Sequence, residues 1–77
     1  MNIYELGKEL NKMYTEAITK EKTLMIRLFG IKYFSEINEV KSKGESLAEI
    51  IKISGLKESY QAEINKGIKL AKYVKLK

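Results

Sequence analysis

Ile3, Leu6, Leu10, Met13, Tyr14 and Ala17 recur at spacings of three and four. That is the period of an α-helix with one buried stripe. Glu5, Lys8, Glu9, Lys12 and Glu16 fill the other face. Glu5 with Lys8, and Glu9 with Lys12, are favourable pairs three positions apart. Asn2 is placed to cap this helix. Thr19 to Lys22 is polar and reads as a connection.

A second pattern runs from Thr23 to about Asn38, with Thr23 as its cap. Between Leu24 and Ile37, nine of fourteen residues are apolar and surround most of a helix circumference. This predicts one central helix packed on several sides, the spine of the fold. A strand over Leu24 to Phe29 is the competing reading, but its apolar residues do not alternate. Gly30 lowers helix propensity and would let another helix approach closely. A polar stretch from Glu39 follows, and Gly44 suits a loop or helix end.

Ser46, followed three residues later by Glu49, is the pattern of a capping box. Leu47, Ile50 and Ile51 then form the buried stripe of a short helix. Ser54-Gly55-Leu56 breaks it, because glycine readily takes the left-handed backbone of a tight inter-helix turn. Ser59 sits where the next helix begins. Tyr60, Ile64 and Ile68 continue it at spacings of four, and Gly67 predicts an end or a bend. Leu56, Tyr60 and Ile64 read as core, and Tyr4, Tyr14, Tyr33 and Tyr73 as packing residues with wet hydroxyls. The pattern as a whole predicts an all-α fold. It is a compact bundle of four to five short helices in a single domain over 1–77, with a C-terminal helix-turn-helix at about 46–67. The conformation of the last ten residues stays open between a final packed helix and a frayed basic tail.

Composition narrows the chemistry. The chain has no cysteine, histidine or aspartate, and its ten acids are all glutamates. Disulfides, thiol nucleophiles, Ser-His-Asp triads and the common zinc and iron sites are excluded. No motif gathers the remaining glutamates, lysines, tyrosines and serines, so no enzyme and no cofactor is expected. Uncharged runs reach only four residues, which excludes a transmembrane helix and the apolar region of a signal peptide. The expected location is the cytoplasm. Net charge is +5, unevenly spread: residues 1–55 carry +1 and residues 56–77 carry +4. That asymmetry points to a polyanion, although a solvated lysine-rich face gives the same count.

The stretch from Gly55 to Gly67, with Gly55, Leu56, Ser59, Ile64, Lys66 and Gly67 in place, resembles the turn and recognition helix of phage-repressor (Cro-type, XRE-like) helix-turn-helix domains. It departs from them at Ile51 and Gln61. The likeness covers Leu47 to Ile68, and the whole chain looks more like a separate small bacterial helix-turn-helix-like domain. The resemblance implies DNA as partner and transcription regulation as role, with the second helix of the unit in the major groove. Lys57, Glu58, Ser59 and Glu63 would then face base edges. Asn65, Lys66, Lys69 and Lys72 would contact phosphates, with Lys75 and Lys77 extending the basic surface. A homodimer on a palindromic site would raise affinity. Two alternatives stay open. One is a protein-interaction module using the same scaffold, motivated by Glu58 and Glu63 on the reading face. The other, weaker, is a membrane-surface helix over Lys66 to Lys77; the main expectation is no membrane partner.

Overall fold

The computed structural model describes residues 1–74, and these form helices without a strand. Helix α1 (Ile3–Glu16) leads through a 3₁₀ turn (Thr19–Glu21) into α2 (Lys22–Lys32). Helices α3 (Phe34–Ser42), α4 (Leu47–Ser54) and α5 (Tyr60–Leu70) follow. The bundle is therefore all-α with five helices, as its apolar periodicity predicts. Lys75 and Lys77 lie outside the described residues, as does the end of the ambiguous tail. Before it, α5 gives way to a turn over 71–73.

Asn2 caps α1 with a full capping box. The Glu5 backbone N–H donates to Asn2 Oδ1 at 2.8 Å, and the Asn2 N–H donates to Glu5 Oε1 at 3.2 Å. Ile3, Leu6 and Leu10 are buried, as the stripe requires. They meet Ile26 and Phe29 of α2, Ile37 and Val40 of α3, Leu47, Ile50 and Ile51 of α4, and Ile64 of α5 in one core.

The expected single helix from Thr23 to Asn38 is two helices. At Tyr33 the backbone leaves helical geometry, with φ −111° and ψ 20°. A straight helix of that length would run about 24 Å, past a core this thin. The break bends the chain so that Ile37 and Val40 return to the core that Ile26 and Phe29 occupy. Tyr33 stacks tilted on Phe29 with ring centroids 5.2 Å apart. The expectation of burial all round also fails. Leu24 is 58% exposed, and only Ile26, Phe29 and Gly30 of α2 are buried. Centrality does hold for α2, which touches α1, α3 and α5.

Thr23 does not cap α2. The helix starts at Lys22 out of the 3₁₀ turn, with no side-chain cap. Lys22 instead reaches back, donating from Nζ to the Tyr14 carbonyl at 2.9 Å and lying 4.5 Å from the Tyr14 ring centroid. A cation there satisfies carbonyls that the end of α1 leaves open. The polar stretch from Glu39 continues α3 to Ser42, past the expected end near Asn38. Gly44, at φ 89°, closes that helix.

Candidate nucleic-acid interface

Ser46 caps α4 by accepting from the Glu49 N–H at 3.3 Å. Only half of the expected capping box forms. The Glu49 carboxylate takes the Ser46 hydroxyl at 3.4 Å, where a full box would use the Ser46 backbone N–H. Gly55 ends the helix at φ 78°, in the left-handed region. Buried Ser54 holds the corner: its hydroxyl donates to the Ile51 carbonyl and accepts from the Leu56 N–H at 3.2 Å. From α1, Asn11 Nδ2 donates to the Ser54 carbonyl at 2.9 Å. Half-buried Leu56 packs on the core beyond the turn.

Helix α5 is fixed by other means. At its first residue, the Tyr60 hydroxyl lies 3.1 Å from the Tyr14 hydroxyl, with ring centroids 5.4 Å apart. The hydrogen bond with Tyr14, which holds the Tyr60 proton, together with burial raises the Tyr60 phenol above its ordinary range. Further along, α5 crosses α2 at two glycines. A Cβ on Gly67 would collide with the Arg27 carbonyl oxygen, and one on Gly30 with the Ile64 carbonyl oxygen. Gly67 therefore does not end α5, which runs on to Leu70. The residue that weakens a helix in isolation is here the one that lets two backbones touch.

Buried Ile64 and Gly67 define the inner face of α5. The outward row is Ser59, Ala62, Lys66, Lys69 and Tyr73, all exposed and spaced three or four apart. Lys57 and Glu58 are exposed just before the helix, and Lys72 just after it. Asn65 is half-buried on one flank. Of the expected base readers, Lys57, Glu58 and Ser59 share the N-terminal end of α5, while Glu63 is set apart from them. Its Oε2 accepts from Arg27 Nε of α2 at 2.6 Å, and its Oε1 from Lys66 Nζ at 3.3 Å. The Arg27 hydrogen bond is the main cause that holds the Glu63 carboxyl below its ordinary range.

Sequence reasoning passes over Arg27 and Asn11. Their partners lie 36 and 43 residues away, beyond any local pattern. The one signal for Arg27 is that it is the sole arginine of the chain. Tyr4 and Tyr73 are solvent-exposed rather than packed, Tyr73 at 85%. Tyr14 and Tyr33 pack on the core as expected.

No described helix is long and apolar enough to cross a membrane. Residues 2–77 match the model of a family described as HTH-like domain. No curated protein and no solved structure matches the chain.

Proposed function

The chain belongs to the HTH-like domain family, and from that premise we propose that it binds double-stranded DNA through α5. The observation that carries this reading is the outward row of α5. It holds Lys66 and Lys69 and no carboxylate; Glu63 lies on the flank of the row, where it pairs with Arg27 and with Lys66. An acid on that row would repel the phosphates on either side of a major groove. Lys57, Glu58 and Ser59, at the N-terminal end, take the base-reading positions. Glu63 would read a base only by giving up Arg27. Lys66, Lys69, Lys72 and Asn65 serve as phosphate contacts that set affinity and register.

In this proposal the domain is a binding unit without catalysis, working in the cytoplasm as a transcription regulator. A homodimer on a two-fold site would double its few contacts. The test is an amide chemical-shift titration with mixed-sequence duplex DNA at low and then higher salt. Shifts should cluster on residues 57–69 and fade as salt rises. Absence of shifts at low salt would leave the unit as a scaffold. The second reading, a protein-interaction module, keeps one observation of its own: Glu58 remains exposed on the reading end. Glu58→Gln should tighten DNA binding if that charge is merely repulsive, and should abolish a protein contact if it is the contact.

A further inference from the structure

Beside the outward row of α5, between it and α2, lies an open depression of about 320 Å³. Arg27, Lys66, Lys69, Leu70 and Tyr73 line it. Three cations converge there over an apolar wall, and one carboxylate, Glu63, answers them. Arg27 engages Glu63 through Nε, which leaves its two terminal nitrogens to face solvent with no partner among the described residues. The Arg27 side chain is 42% exposed, against 20% for Glu63.

We propose that this depression receives a backbone phosphate of the bound DNA, and that Glu63 limits how strongly it does so. The inference rests on the DNA-binding reading above and extends the contact surface from α5 onto α2. Arginine offers a planar fork of donors that matches a phosphate, and its pair with Glu63 fixes the direction of that fork. Lys66 and Lys69 reach the same place from the helix that faces the groove. Leu70 and Tyr73 form a wall against which a deoxyribose can lie. An enclosed pocket would suit a small molecule, since such ligands are mostly buried; an open trough suits a chain running through it. Glu63 takes part of the charge of Arg27 and Lys66 and so keeps non-specific attraction down. The N-terminal residues of α5 are then left to decide the sequence.

The test is fluorescence anisotropy of the full chain with a short mixed-sequence duplex across a salt series. Arg27→Gln should weaken binding about five- to tenfold at low salt and flatten the salt dependence by about one phosphate. Arg27→Lys should keep the salt slope. Glu63→Gln should tighten binding and steepen the slope, and it decides the matter alone if Arg27→Gln fails to fold. Lys57→Ala, remote from the depression, reports on the groove reading by itself. If the parent chain binds and Lys57→Ala weakens it, while Arg27→Gln and Glu63→Gln change neither affinity nor slope, the depression is not a phosphate site. A parent chain that binds no duplex at low salt fails the broader reading first. Polyglutamate that displaces the duplex at equal charge concentration would overturn the assignment to DNA in favour of an acidic protein.

Discussion

Between α1 and α4, side chains make the joint. Both helices give three buried apolar residues to the core, and a Cβ on Gly7 would meet the Ile53 side chain first and the Ile50 carbonyl oxygen, at 3.1 Å, behind it. Between α2 and α5, backbone meets backbone at Gly30 and Gly67, and the Arg27–Glu63 pair lies alongside. The two helices of the helix-turn-helix are thus anchored to different partners, α4 mainly to α1 and α5 mainly to α2, and touch each other little. The angle at which α5 is presented is set by the N-terminal half of the chain rather than by the turn alone.

The contrast is most sharply tested by adding one methyl group to each joint. Gly67→Ala should destabilise the fold by about 3 kcal/mol in urea unfolding, although alanine gains about 1 kcal/mol of helix propensity. Gly7→Ala should cost less, since its Cβ meets side-chain atoms of Ile53 before the Ile50 carbonyl oxygen at 3.1 Å, whereas a Cβ on Gly67 meets backbone at once. Equal costs would mean that the two joints are alike. Removing a methyl on the α1–α4 side, by Ile50→Val, should cost about 1 kcal/mol.

Smaller effects separate the anchors of α5. Tyr14→Phe should cost about 1 kcal/mol and bring the Tyr60 phenol back toward its usual range in a spectrophotometric titration. Because the folded chain holds that phenol above its ordinary value, the stabilisation is present below about pH 10 and lost as pH rises through the folded value. Glu63 has the opposite sign. Its carboxyl is held down in the folded chain, so its contribution is present above about pH 4.5 and disappears as pH falls through the lowered value. Urea midpoints between about pH 5 and pH 3 should therefore fall less steeply for Glu63→Gln than for the parent chain. Identical slopes would show that Glu63 adds nothing to the α2–α5 joint.

What could be read from the chain follows the range of the interaction. The stripe Ile3-Leu6-Leu10, the Ser46 cap and the Gly55 turn are local, each fixed by period or by the chemistry of one residue. The break at Tyr33 carries no proline or glycine, and its cause is the size of a core assembled from all five helices. Gly67 was ambiguous for a related reason: propensity reads it as a stop, while the crossing with α2 requires it inside the helix. Within the candidate site, Lys66 and Lys69 are carried by the resemblance to phage-repressor helix-turn-helix domains. The pairing of Glu63 with Arg27 is not, since that partner lies on another helix.

Ala62, Lys66 and Lys69 point away from the core, and none is among the residues that build it. The core packing and the α2 contacts that set the pose of α5 lie on its other faces: Tyr60, Glu63, Ile64, Gly67 and Ile68. The row therefore behaves as an interchangeable cassette on a fixed chassis. Randomising those three positions should yield folded variants that differ in affinity and salt dependence, so the grip on the phosphates can be tuned while the architecture that presents it is kept.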